Sequence, residues 1–264
     1  MIAFLLAATL NTSVAAPSAT AYYIDALHAT QAAPQPSAAS YHTKVVSSGT
    51  KIDVSSYQGQ LVFALGYGAS MRRSVDFDAK YNAAEGILAQ LNGKDTVVRM
   101  PLFNPTWGGV ADWMKYGFYG PDQGSAPTTP TPSPIPTATA DALSTIATVR
   151  ALNPGSYSIT DGGAATCSDG TPGHKLLLRA LRNPDTHPLT SVVVDAQNTR
   201  FCIMDFRLGA SSALSFTGFF QLDLRSVGNY WLVTDGTADF LIRALGIRTS
   251  NTHLVFSNTS FVFQ

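Results

Sequence analysis

Along residues 216–224 the chain alternates. Phe216, Gly218, Phe220, Leu222 and Leu224 fall on one side and Thr217, Gln221 and Asp223 on the other, the period-two pattern of a half-buried strand. Phe219 breaks the polar side. Residues 175–181, 191–195 and 200–208 read the same way, separated by Asn183-Pro184-Asp185 and Ala196-Gln197-Asn198, both of which are turn chemistry. Links this short make consecutive strands antiparallel neighbours, so residues 174–235, ending in Tyr230-Trp231-Leu232, read as a β-meander.

Elsewhere the pattern is less uniform. Residues 22–33 suggest a short helix with Ile24, Leu27 and His28 on one side, ended by Pro34-Gln35-Pro36. Strand-like runs follow at 41–47, 51–55 and 60–67, broken at Ser48-Gly49 and Gln58-Gly59. Residues 80–91 have helical spacing at Tyr81, Ala84, Leu88 and Leu91, with Gly86 against it. Residues 100–119 are rich in aromatics, Trp107 and Trp113 among them, and interleaved with proline and glycine; they predict a loop or short helix that lines an apolar cavity or plugs the core. Residues 143–152 fit a helix or a strand. Between these halves, a Pro/Thr-rich stretch at 125–140 cannot build a sheet and is either a linker or a surface insertion.

Composition narrows the class. The chain has 264 residues, 45% hydrophobic and 13% charged, enough apolar content for a full core and too little charge for disorder. Its formal net charge is zero and its basic residues are scattered, which argues against nucleic acid as a partner. The apolar run at residues 2–10, too short to span a bilayer, precedes Ala19-Thr20-Ala21 and reads as a signal peptide over residues 1–21, without the usual basic start; a buried N-terminal segment is the alternative. No later run is long enough for a membrane helix, so the mature chain, 22–264, is expected to be one β-rich domain in the periplasm or secreted. In that setting the two cysteines, Cys167 and Cys202, favour a disulfide over two buried thiols.

Little in the sequence points to catalysis. Gly209-Ala210-Ser211-Ser212-Ala213 lacks the second glycine of a nucleophile elbow and reads as a hairpin loop. The five histidines, His28, His42, His174, His187 and His253, show no metal-ligand spacing and read as isolated surface or strand residues. Gly66-Tyr67-Gly68 lacks the third glycine of a dinucleotide fingerprint and reads as a strand-end turn, and Arg72-Arg73 as a solvated basic pair. No enzyme activity, cofactor or metal is expected.

The order of elements in the C-terminal half resembles the periplasmic lipoprotein-carrier family, the outer-membrane lipoprotein-sorting proteins of LolA-like fold. Carrying the resemblance are the turn Asp169-Gly170-Thr171 before His174-Lys175-Leu176-Leu177-Leu178, then Asn183-Pro184, then Val192-Val193-Val194-Asp195-Ala196-Gln197-Asn198-Thr199, and finally Val227-Gly228-Asn229-Tyr230-Trp231-Leu232. Val194 stands where the family has an aromatic, no proline follows Thr199, and Val233 replaces a proline. The resemblance implies a mainly β protein with a few helices, its curved antiparallel sheet forming an open half-barrel whose concave face takes a lipid or lipoprotein acyl chain. Phe216, Phe220, Leu222, Leu224 and Trp231, with Trp107 and Trp113, are the expected ligand-binding residues; a solid core made of the same side chains is the competing expectation. Two rival functions remain: an envelope sensor or interaction module engaging another envelope protein, and a secreted hydrolase with scattered catalytic residues.

Overall fold

The computed structural model describes residues 18–49, 74–83, 86–91, 94–98, 104–116, 150–210, 214–244 and 247–264. These form α1 (Ala19–Gln31), β1 (Ala38–Gly49), β2 (Ser74–Asn82), β3 (Gly86–Leu91), β4 (Lys94–Val98), α2 (Trp107–Tyr116), β5 (Tyr157–Thr166), β6 (Pro172–Ala180), β7 (Leu189–Asp195), β8 (Phe201–Ala210), β9 (Leu214–Val227), β10 (Tyr230–Ala244) and β11 (Ile247–Phe263), with short 3-10 turns at Arg150–Leu152, Pro154–Ser156 and Pro184–Thr186.

All described strands belong to one eleven-stranded sheet in the order β4-β3-β2-β1-β11-β10-β9-β8-β7-β6-β5. Every neighbouring pair is antiparallel. Strands consecutive in each half lie side by side, across a long connection between β1 and β2 and across short ones from β5 to β11, and the pairing of β1 with β11 joins the halves. β4 and β5 end the sheet without pairing with each other, so it is open and does not close into a barrel. This is the mainly β, antiparallel, open architecture expected from the sequence. Register shifts between Ser40 and His42, Val233 and Asp235, and Asp161 and Gly163 are bulge-like irregularities of the kind that bend and twist strands.

Register sorts the side chains onto two faces. One cross-strand row runs Val45, Phe256, Gly236, Leu222, Met204, Val192 and Leu176, all buried. A second runs Leu254, Ala238, Phe220, Phe206 and Leu189. Gly236 is required here, because a Cβ at that position would collide with the Phe256 ring. We call this apolar side the inner face; residues between those in each row point to the outer face.

The meander is confirmed at β6 to β10. The two-residue link Gly228-Asn229 joins β9 to β10, with Gly228 at φ 59°, a left-handed conformation that glycine adopts without steric cost. β8 and β9 pair antiparallel up to Ala210 opposite Phe216; residues 211–213, in the expected hairpin loop, lie outside the described residues. The helix expected over 80–91 is not found: residues 80–82 end β2 and residues 86–91 are β3, with Tyr81 opposite Ile87 and Ala79 opposite Ala89. The spacing of Tyr81, Leu88 and Leu91 mimicked a helical stripe, but Ile87 and Ala89 are the buried positions, which is strand alternation. In α1 the buried side is Tyr23, Ala26, Leu27 and Thr30, and His28 is exposed, one position away from the expected stripe. The 51–55 and 60–67 runs, Gly66-Tyr67-Gly68, Arg72-Arg73, the 125–140 stretch and most of 143–152 lie outside the described residues; Arg150–Leu152 is a 3-10 turn. No described helix is long and apolar enough to cross a membrane.

Cys167 and Cys202 form the expected disulfide, with Cα atoms 5.7 Å apart. It ties the turn after β5 to the first residues of β8. The S atom of Cys167 and the Val193 side chain crowd the space over Gly173, where a Cβ would meet them at 3.4 and 2.8 Å.

Candidate functional site

The two described helices lie against the sheet. α1 contacts β5 and β8, and α2 contacts β10 and the 3-10 turn at Arg150–Leu152. Ser18 caps α1 by accepting the Ala21 N–H at 3.2 Å. Tyr23, fully buried, sets its ring 5.4 Å from that of Phe201 and donates its hydroxyl to the Leu152 carbonyl at 3.0 Å. Burial pushes its phenol well above the ordinary tyrosine range, so it acts as a neutral donor at any physiological pH. Thr30 donates to the Ala26 carbonyl and accepts the Phe201 N–H at 2.8 Å, which fastens the end of α1 to the start of β8.

Before α2, the Asn104 carboxamide oxygen accepts from the backbone and hydroxyl of Thr106 at 3.0 and 2.7 Å, turning the chain into the helix. Among its described residues Gly109, Val110 and Met114 are buried. The Pro105 carbonyl accepts the Val233 N–H at 2.8 Å, and Gln35 accepts the Trp107 N–H at 2.9 Å. Gln35 thus couples the segment after α1 to the first turn of α2.

Of the residues expected to bind a ligand, Phe220, Leu222, Leu224 and Trp231 converge on the inner face and are buried. Phe220 stacks on Phe206 with ring centroids 5.2 Å apart. Trp231 donates its indole N–H to the Phe201 carbonyl at 2.9 Å, with the Arg200 guanidinium 5.5 Å from its ring. Trp107 is half-buried against the same core from α2. Phe216 belongs to β9, opposite Ala210 and Ile242, and Trp113 to α2; their side chains lie outside the described set. The sequence reading missed Phe206, Met204, Val192 and Phe256, which complete this face. Alternation within β8 and β7 carried the signal, but only the register shows that these strands share a surface with β9.

The outer face is chemically different. Asp205 accepts from Ser191 and from Gln221 at 3.0 Å, with Lys175 at 3.8 Å. Asp223 sits directly opposite Asp235, which Arg225 meets at 3.3 Å. Burial first, then the charges of Asp235 and Asp205, push the Asp223 carboxyl up to about 6, and its Oδ1 is buried without a hydrogen-bond partner. The histidines are less isolated than their spacing implied: His42 meets Asp78 at 2.9 Å, His174 meets Asp161 at 2.8 Å and His253 meets Asp239 at 2.8 Å, each across adjacent strands. Among the described residues no group of three or more His, Cys, Asp or Glu side chains is placed to hold a metal ion.

No protein-family model and no curated protein matches the chain. Solved structures do. A LolA superfamily protein from Nitrosomonas europaea is similar at 10% identity and TM-score 0.33, covering 94% of each chain. A domain from Vibrio parahaemolyticus named for outer-membrane lipoprotein sorting is similar at 9% identity and TM-score 0.35, and a DUF1329 family protein from Desulfovibrio piger at 9% and 0.36, each again over 94% of both chains. The open antiparallel sheet described above stands on this chain's own strand order and register.

Proposed function

We propose that this chain is an exported carrier, not an enzyme, that takes a lipid or the acyl chain of a lipoprotein between its helices and the inner face of the sheet. The observation that carries the reading is the unbroken apolar surface from Val45 to Leu176, crossing seven strands with no charged residue in either buried row. Such a surface gives each methylene of a chain roughly 0.8 kcal/mol without demanding any polar geometry. Phe220, Leu222, Leu224 and Trp231 are its central ligand residues, with Phe216, Trp107 and Trp113 at its margins.

In the described state Phe220, Leu222, Leu224 and Trp231 are packed into the buried core, so a ligand enters by displacing the helical cover. Among the described residues the directional links at that cover include Tyr23 to Leu152, Phe201 to Thr30, Val233 to Pro105 and Trp107 to Gln35. Each is worth on the order of 1 kcal/mol net. The Gln35 link joins the segment after α1 to the first turn of α2.

The chain reaches the periplasm, or is secreted, after a signal peptide is removed behind Ala21. That cut takes away the Ser18 cap and the first three residues of α1 but leaves Tyr23, Ala26, Leu27 and Thr30, the residues that pack on the sheet. N-terminal sequencing of exported protein should begin at Tyr22.

Organic extraction of the purified protein followed by mass spectrometry tests the carrier reading. Lipid at near-equal molar amount, together with saturable binding of a fluorescent fatty acid by the delipidated protein, is the expected result. An empty extract and no probe binding would defeat it.

A further inference from the structure

The phenylalanine that interrupts the polar side of β9 marks a second site. Phe219 points to the outer face with 52% of its surface exposed. Two adjacent cross-strand rows bound a groove beside it: Asp205, Gln221 and Thr237 in one, Phe219 and Asp239 in the other, with Thr190 at the end. The groove has a volume of about 330 Å3, at the lower end for small-molecule sites.

We infer that this groove binds a neutral saccharide. A pyranose ring has an apolar face of C–H groups and a rim of hydroxyls, so it needs an exposed aromatic plane beside planar polar groups that accept and donate in pairs. Phe219 supplies the plane. Asp205 and Asp239 offer the acceptor positions left beside Ser191, Gln221 and His253, Gln221 offers its carbonyl oxygen and the donor hydrogen not given to Asp205, and the threonines offer hydroxyls.

Charge excludes the obvious competitor. Asp205 is already met by Lys175 at 3.8 Å and Asp239 by His253 at 2.8 Å, and the Arg207 guanidinium lies 5.7 Å from the Phe219 ring. A cationic ligand would find its carboxylates engaged and an arginine beside the aromatic. An acyl chain fits no better, since the phenylalanines that line the groove, Phe206, Phe219 and Phe220, are interleaved with two carboxylates, an amide and two hydroxyls that a chain would leave without partners. The groove lies on the opposite side of the sheet from the proposed lipid site, and its ligand does not depend on that proposal.

The test is isothermal titration calorimetry of the full chain with chitotriose, cellotriose and maltotriose at millimolar concentration, for wild type, Phe219→Ala and Asp239→Asn. Because both positions are exposed, thermal melts should be nearly unchanged; if Phe219→Ala does not fold, Asp239→Asn serves alone. Expected is binding of at least one trisaccharide by wild type, weakened about tenfold or more in each folded variant. Absence of binding to all three sugars, or binding that neither substitution alters, overturns the assignment. So does binding of an oligolysine peptide in place of any sugar.

Discussion

The two faces of this sheet are built from the same strands and obey opposite rules. Between Val45 and Leu176 the inner face presents an unbroken buried apolar row; one residue along the strand from that row, the outer face carries Asp235, Asp223, Asp205 and Lys175, all half-buried. The inner face is stabilised by area removed from water and tolerates any apolar occupant of suitable volume. The outer face depends on pairing, and where pairing is incomplete, as at Asp223, it stores an electrostatic penalty that pH can release. Strand alternation places both in nine residues of β9.

The largest expected effect breaks the inner face at its centre. Phe220→Ala removes a ring that is 3% exposed and stacked on Phe206, so it should cost about 3–5 kcal/mol in a denaturant melt through lost transfer energy and an unfilled cavity. A loss below about 1 kcal/mol would mean that the face is loosely filled and collapses around the gap. Lipid binding by the same variant, measured where it is folded, reports whether Phe220 also touches ligand.

Next comes the disulfide, which pins the inner face at β8 to the hairpin of β5 and β6. Cys167 and Cys202 are 35 residues apart, and closing a loop of that length constrains the unfolded chain by roughly 4 kcal/mol on the entropic model. The double variant Cys167→Ser, Cys202→Ser should therefore melt at markedly lower denaturant. Midpoints that coincide for oxidised and reduced wild type would show that the unfolded chain gains nothing from release.

On the outer face the expected effect is smaller and opposite in sign. The Asp223 carboxyl is raised to about 6 in the folded protein, above its unfolded value. A raised folded value means that the wild-type contribution is fully present below the unfolded pKa and is lost as pH rises through about 6. Asp223→Asn should thus stabilise the protein at pH 7 to 8 by about 1 kcal/mol, discounted for partial exposure, and have no such advantage near pH 4. Urea midpoints measured across this pH window check it; a constant difference between variant and wild type would remove the titration account.

How much of this was legible in the sequence follows from the range of the interactions. In β6 to β10 each strand pairs with its neighbour in sequence and the turns carry Pro, Asn or Gly, so period and punctuation agreed and the meander could be read. Residues 80–91 failed because the sequence has no proline or glycine between Asn82, the end of β2, and Gly86, the start of β3, and short apolar runs fit both periods. The pairing of Thr43 with Asn258, 215 residues apart and hydrogen-bonded at 2.8 Å, has no local signature at all, yet it joins the halves. The same limit applied to the sites: Phe220, Leu222 and Leu224 were visible as one stripe, whereas Asp205, Phe219, Gln221 and Asp239 become neighbours only when β8, β9 and β10 are in register.

Phe219 and Phe220 bring the comparison down to adjacent residues of identical chemistry. Phe220 lies in the buried row with Phe206 and Ala238, while Phe219 lies between Arg207 and Asp239, half in water. Replacing Phe219 with alanine forfeits little burial and one exposed cation–π contact, so its effect on stability should stay within about 0.5–1 kcal/mol. Set against the 3–5 kcal/mol expected at Phe220, paired denaturant melts of the two single variants should give a ratio of about three or more. Equal losses would mean that Phe219 packs on the sheet as tightly as its neighbour, and the outer groove would then lose its aromatic wall as a surface open to a ligand. A near-zero loss at Phe219 leaves an exposed phenylalanine that folding does not require.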